Sequence, residues 1–191
     1  MQAKALSGGF ADPPREAARA FRACLQVMAR PGRIFTVEGA APPAPLSPAA
    51  GAVALVLCDG ETPLFLAPGH NAPALRDWLA FHCGAPLVAE RARAAFGIGT
   101  WAALDPGHGD WPLGSDENPH LSATLIVEVD RLAQTGARLT GPGIETEARL
   151  SLPETGFFAA NRAHFPRGLD LFLCCGDRLA AVPRSTRVEA G

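Results

Sequence analysis

Six side chains that could bind a ligand or transfer a proton lie close together near the middle of the chain. They are Asp105, His108, Asp110, Asp116, Asn118 and His120. Imidazole and carboxylate groups are ligands for zinc and iron, and a histidine beside a carboxylate is a common pair for general acid–base catalysis. Three interpretations follow: a metal centre, an acid–base pair, or a polar surface that recognises a partner.

The three interpretations differ in whether the side chains must meet. Four residues would serve as metal ligands, although their spacing matches no established motif: His108, Asp110, Asp116 and His120. The acid–base interpretation would pair His120 with Asp116. A recognition surface needs no such meeting. In that interpretation the aspartate and asparagine side chains shape turns and present polar groups to a partner. Convergence on one pocket would therefore favour chemistry, and a spread across the surface would favour recognition.

The segment that carries these residues, 99–125, is rich in turn-forming residues. These are Pro106, Gly107, Gly109, Pro112, Gly114 and Pro119. They exclude a regular helix or strand through its middle, and a long ordered loop in a compact domain is usually functional. Trp101 and Trp111 are expected to anchor it. Because the β-branched residues 123–129 predict a buried strand, we expect the polar loop, defined here as residues 105–120, to be mounted on the edge of a sheet.

Helices and strands alternate along the rest of the chain. Helices are predicted at residues 12–30, 49–58, 71–82 and 154–164 from apolar periodicity and from capping and proline signals. Strands are predicted at residues 33–37, 62–66, 94–98, 123–129, 138–144, 148–152, 168–175 and 179–183. This interleaved order favours an α/β sandwich with a mixed sheet, and 191 residues suit one domain over 1–191.

Composition and charge exclude several classes of function. A net charge of −2 gives no reason to expect nucleic acid or an anionic membrane as a partner. No stretch approaches the roughly 18 apolar residues of a membrane-spanning helix, and the first residues lack the apolar core of a signal peptide. Five cysteines without a C-x-x-C pair do not predict a disulfide framework. We therefore expect a cytoplasmic protein with reduced cysteines.

The near absence of lysine bears on cofactors. The only lysine is Lys4, at the amino end, and pyridoxal phosphate enzymes hold their cofactor through a lysine Schiff base. The sequence also lacks the G-x-x-x-x-G-K-[ST] pattern of a P-loop. We therefore predict no cofactor, and no pyridoxal phosphate in particular.

Several motifs together resemble the PhnH family, a subunit of bacterial carbon–phosphorus lyase. The longest runs from Gly99 to His120 and reads GTWAALDPGHGDWPLGSDENPH. Further matches lie at residues 9–13, 20–23, 28–32, 81–82, 84–86, 139–144, 161, 165–170 and 183–186. Ser185 departs from the threonine expected in relatives, which puts nothing in doubt. The resemblance covers nearly the whole chain.

The resemblance implies a role in the use of phosphonates as a phosphorus source. It implies a non-catalytic assembly subunit that works with the G, I, J and K types of subunit. That assembly makes α-D-ribose 1-methylphosphonate 5-triphosphate from ATP and a phosphonate and then cleaves the carbon–phosphorus bond. It also implies a three-layer α/β/α sandwich similar to the pyridoxal phosphate transferases, without the cofactor lysine, and a homodimer. A hydrophobic content of 48% in 191 residues also favours a dimer.

An enzyme in its own right is the alternative function. It would act on a phosphonate or a phosphorylated substrate through His108, Asp110 and His120. Three arginines are candidate anion contacts in either case: Arg30, Arg167 and Arg184.

Overall fold

A seven-stranded mixed sheet forms the centre of the computed structural model, which describes residues 7–191. Its strands are β1 (Phe35–Thr36), β2 (Leu64–Leu66), β3 (Leu87–Val88), β4 (Phe96–Thr100), β5 (Thr124–Glu128), β8 (Asp170–Cys175) and β9 (Arg178–Val182). Their order across the sheet is β1-β9-β8-β5-β4-β2-β3, and β9 runs antiparallel to both of its neighbours. The remaining neighbours pair in parallel. The predicted α/β class and mixed sheet are confirmed. Lys4, the only lysine and the residue on which the cofactor prediction depends, lies outside the described residues.

Five α-helices accompany the sheet within the described residues. They are α1 (Pro13–Ala29), α2 (Pro48–Leu57), α3 (Pro73–His82), α4 (Trp101–Leu104) and α5 (Gly156–Ala163). Proline occupies the first turn of α1, α2 and α3, where its missing N–H is not needed for an intrahelical bond. None of the helices within residues 7–191 combines the length and apolarity needed to cross a bilayer.

The two faces of the sheet are covered by different kinds of element. Side chains alternate along each strand, so Ile126 of β5 points to one face and Leu125 and Val127 to the other. The first face is packed against α1, α2 and α3. The second is packed against α5, the polar loop and a small antiparallel sheet made of β6 (Ala137–Thr140), β7 (Ala148–Leu150) and β10 (Arg187–Glu189).

The structure corrects several sequence-based boundaries. The segment 138–144, predicted as a strand broken by a turn, has its strand up to Thr140, where Gly141 turns the chain with a φ of 129°, and no strand follows the turn within that segment. The strand predicted at 33–37 reduces to Phe35–Thr36, and the one at 94–98 is shifted to Phe96–Thr100. β3 and β10 were not predicted, because two or three residues are too few to display a period. The polar loop is mounted on the centre of the sheet, since it connects the neighbouring strands β4 and β5.

A glycine inside β4 makes room for the polar loop. A Cβ atom at Gly97 would overlap the six-membered ring of Trp111 and would lie 3.0 Å from Cδ2 of Leu125. Real Cβ atoms do not approach so closely, so any side chain here would displace the indole. The central strand is therefore shaped to receive a side chain from the loop.

Candidate functional site

Trp111 fastens the polar loop to the sheet. The side chain is buried, and its Nε1 donates to the carbonyl of Leu104 at 3.3 Å. The indole meets the ring of Phe65 edge-on at 5.6 Å between centroids, and the Arg91 guanidinium lies 5.9 Å from its ring centre. The loop therefore has a fixed position on the sheet.

Trp101 fastens the beginning of the segment to α5. Its ring stacks against Phe158 at 5.6 Å and meets Phe157 edge-on at 5.3 Å. The anchoring role expected for both tryptophans is thus seen in their contacts. Contacts of the two tryptophans therefore hold both ends of the stretch that carries Asp105, His108 and Asp110, whereas residues 116–120 follow Trp111.

Asp105 and His108 form the one close polar pair among the six predicted side chains. Asp105 ends α4 in the left-handed conformation with a φ of 46°, which aspartate tolerates better than most residues. Its backbone carbonyl accepts from Gly109 N at 2.9 Å, and its Oδ1 lies 3.0 Å from Nδ1 of His108. The His108 side chain is 88% exposed, so solvent screens this pair.

A cleft of about 390 Å³ separates this pair from α5. Its walls include Trp101, Asp105, His108, Phe157, Asn161 and His164. Asn161 is buried, and its side-chain amide donates to Leu169 O and accepts from Leu169 N, both at 2.8 Å. The cleft therefore has a rigid floor and offers two exposed imidazoles at its rim.

The remaining predicted residues lie elsewhere on the loop. Asp110 and His120 are exposed, and Asp116 lies 3.3 Å from Nε of Arg167 in an exposed ion pair. Asn118 belongs to a tight turn in which its N–H donates to Ser115 Oγ at 3.0 Å. None of these four predicted residues lines the cleft beside Asp105 and His108.

The residues that the metal interpretation would need as ligands do not meet. Residues 7–191 contain no group of three histidine, cysteine, aspartate or glutamate side chains that could hold a metal ion. Asp116 is directed to Arg167, and no hydrogen bond within the described part of the chain joins it to His120. Apart from Asp105 and His108, the predicted polar side chains spread across the surface instead of meeting in one pocket.

The three predicted anion contacts lie in three different environments. Arg184 is half-buried and is paired with the carboxylate of Asp170 through Nε and Nη2, while its Nη1 donates to Pro119 O at 2.7 Å. Arg167 pairs with Asp116 in the open, and Arg30 follows α1 on the rim of a separate cleft beside the small sheet. Arg184 therefore closes the loop, and its charge is already neutralised.

The cysteines offer no nucleophile in the core. Burial raises the pKa of Cys24 and of Cys83 to about 12 and raises that of Cys174 well above its ordinary value. A thiol with such a pKa stays protonated near neutral pH and is unreactive. This agrees with the expectation of reduced cysteines in apolar surroundings.

The sequence analysis missed two titratable groups at the carboxyl ends of parallel strands, one partly buried and one buried. Glu128 ends β5 on the wall of a second cleft of about 510 Å³; its Oε1 accepts from Ser47 N at 2.7 Å, and burial raises its pKa. His70 lies beyond β2 and is buried, which lowers its pKa. Their position at strand ends, where open α/β sheets bind ligands, was the available signal.

Fold and site together define an α/β protein with a mixed sheet and an anchored polar loop whose side chains do not converge. A family model described as bacterial phosphonate metabolism protein (PhnH) matches residues 8–189, and the chain belongs to this family. The alpha-D-ribose 1-methylphosphonate 5-triphosphate synthase subunit PhnH of Rhizobium meliloti (strain 1021) is 42% identical over 196 residues, covering 98% of each chain. HtxG of Stutzerimonas stutzeri, provisionally named a C-P lyase subunit protein, is 40% identical over 83 residues, covering 40% of this chain and 43% of that protein.

Proposed function

We propose that this protein is a non-catalytic subunit of a carbon–phosphorus lyase assembly. In this role it supports the synthesis of α-D-ribose 1-methylphosphonate 5-triphosphate from ATP and a phosphonate. The observation that carries the proposal is the 42% identity, over nearly all of both chains, to a protein named as a subunit of that synthase. The non-catalytic part is supported by the four predicted polar groups that lie outside the cleft lined by Asp105 and His108, because metal chemistry needs several ligands that meet.

The polar loop is the proposed recognition surface for the G, I, J or K type of subunit. Its backbone is held by turn bonds and by two anchored tryptophans, so little conformational freedom is lost on binding. Its side chains remain available, since His108 is 88% exposed and Asp116 is 75% exposed. Exposed carboxylates on such a surface suit a partner that presents arginine.

The same proposal includes a homodimer, a cytoplasmic location and a fold like that of the pyridoxal phosphate transferases. The fold similarity is supported by the mixed sheet with a covering layer on each face, although the second layer is part helix and part sheet.

The alternative function is an enzyme that takes a phosphonate or phosphorylated substrate in the cleft beside His108.

One double variant, His108→Ala with His120→Ala, distinguishes these functions. Both imidazoles are exposed, so the melting temperature should stay within about 2 °C of wild type. Under the proposed function, association with the co-expressed neighbouring subunits should weaken by about tenfold or more. Arg76→Ala with Phe81→Ala is the control, because it removes two exposed side chains of α3, away from the loop and its cleft, and should leave association unchanged.

Three measurements on these variants separate the outcomes: melting, co-purification and growth on a phosphonate. Wild-type assembly with loss of growth would show that the loop carries chemistry and would contradict the recognition role. A large fall in melting temperature with a proportional loss of binding would show that the loop only stabilises its own sheet.

A further inference from the structure

Helix α1 carries an apolar stripe on its exposed side. Phe21 is 45% exposed and Leu25 is 54% exposed, and the two lie one turn apart on the same side of the helix. Ala18 and Ala29 are also exposed and continue the stripe in both directions. Large apolar side chains that remain half exposed and adjacent are typical of a contact surface.

The stripe borders a groove that leads towards the sheet. The groove encloses about 210 Å³, and its walls are largely apolar: Phe21, Leu25, Met28, Leu57, Phe96 and Phe172. Phe96 and Phe172 belong to the core on the α1–α3 face, so the groove lies on the opposite face of the sheet from the polar loop. A groove of this size accepts one or two apolar side chains.

A basic stripe runs beside the apolar one. Arg15, Arg19 and Arg22 are exposed and repeat at the spacing of one helix face, displaced by one residue from the apolar stripe. Arg30 follows the end of the helix, and Glu16 is the only acidic residue within α1. Arg15 approaches Asp12 at 3.6 Å, whereas Arg19 and Arg22 take part in no ion pair among residues 7–191, although Arg19 shares a cleft with Glu16 and Glu38.

We propose that this face of α1 binds an acidic amphipathic segment of another subunit. Apolar side chains of that segment fill the groove, while its carboxylates lie against the arginine stripe, in the manner of a helix bound in a groove. The inference rests on the proposed function, because it requires an assembly with other subunits. It adds a second interface, on the opposite face of the sheet from the polar loop, and it specifies the chemistry of the partner that binds there.

Charge argues against a second copy of this chain as the occupant. In an antiparallel two-fold pairing of α1 with α1, the arginine stripe of each copy would face that of the other. Like charges opposed across an interface cost binding energy, whereas carboxylates on a different chain gain it.

Two variants test the two halves of the surface. Phe21→Ser with Leu25→Ser removes the apolar stripe, and Arg19→Glu with Arg22→Glu reverses the basic one. Each should weaken association with the co-expressed G, I and J types of subunit by about tenfold or more, without unfolding, because all four side chains are exposed. Wild-type association should also weaken as ionic strength rises, and the charge-reversed variant should lose that dependence. Phe81→Ser and Arg76→Glu are matched controls on the exposed side of α3 and should associate as wild type does.

Each outcome decides a different question. If wild type fails to associate with the other subunits, the proposed function is wrong. If wild type associates and both α1 variants associate equally well, the function stands and the α1 surface is wrong. Conversion of an isolated dimer to a monomer by Phe21→Ser with Leu25→Ser would identify a second copy as the occupant. Co-sedimentation of isolated wild type with phosphatidylglycerol vesicles would identify a membrane, and either result contradicts the proposal.

Discussion

At the scale of single residues, His70 makes stability depend on pH. The ring is 4% exposed, and neither ring nitrogen has a hydrogen-bond partner within residues 7–191. Burial lowers the pKa below the 6.5 of the free side chain, because the charged form loses its hydration. The unfolded chain therefore binds more protons than the folded chain just below 6.5.

The sign of the effect follows from that difference. The contribution of His70 to the free energy of unfolding is complete above the unfolded pKa and is lost as pH falls through the folded pKa. We expect the urea midpoint of wild type to fall between about pH 7 and about pH 5 relative to that of His70→Leu. Equal pH profiles for the two proteins would contradict this prediction. Glu128→Gln is a useful control, because burial raises the pKa of Glu128 and its removal should change the profile in the opposite sense.

At the residue scale, the sequence predicted which polar side chains lie on the loop but not which of them pair. His120 and Asp116, the pair considered from sequence, form no hydrogen bond within residues 7–191, whereas Asp105 pairs with His108 beyond the end of α4. Asp170 begins β8, and Arg184 lies two residues beyond the end of β9. Their ion pair therefore depends on how the two strands align, which no local sequence pattern predicts. The same holds for Asp116 and Arg167.

At the scale of elements, Asn161 joins α5 to the start of β8. Its amide satisfies both the N–H and the carbonyl of Leu169, which are buried with it. Asn161→Ala should lower the free energy of unfolding by about 2–4 kcal/mol, because it leaves two buried backbone groups unpaired. Asn161→Asp can still accept from the N–H but cannot donate to the carbonyl. Urea denaturation of both variants measures the cost, and an Asn161→Ala loss below about 0.5 kcal/mol would mean that water replaces the amide.

Elements were predictable from sequence in proportion to their length. The long apolar runs of β5 and β8 and the periodic faces of α1 and α3 were placed within two or three residues. The small sheet was not foreseen as a separate unit, because its membership depends on pairing between residues 137–140 and 187–189. Its effect is to replace part of the expected outer helical layer with strands.

At the scale of the whole molecule, the homodimer stays a prediction. Exposed apolar side chains remain on α1, on α3 and at Leu121, so more than one apolar surface is available for burial. Light scattering at micromolar concentration should give twice the chain mass of 19.9 kDa. A monomer mass at that concentration would contradict the prediction. The Arg19→Glu with Arg22→Glu variant should keep the dimer mass, since we assign α1 to a different partner.

The absence of pyridoxal phosphate is also still a prediction at this scale. It depends on lysine chemistry and not on the fold, since Lys4 is the only lysine in the chain. The whole-chain architecture could be predicted only as a class. The order of the strands depends on which elements bury each other's apolar faces, and several orders are compatible with one alternation of helices and strands.

Arg184 has a consequence for the time at which the polar loop takes its shape. Its bond to the carbonyl of Pro119 spans 65 residues, so a ribosome synthesises the loop well before the residue that latches it. A nascent chain thus carries the sequence of the loop without its closed form. Because a domain generally folds as a unit, the hydrogen bond to Pro119 forms only after residue 184 has been added and β9 can pair with β8. Under the proposed function, the loop would therefore reach its binding shape only when nearly the whole chain has been synthesised.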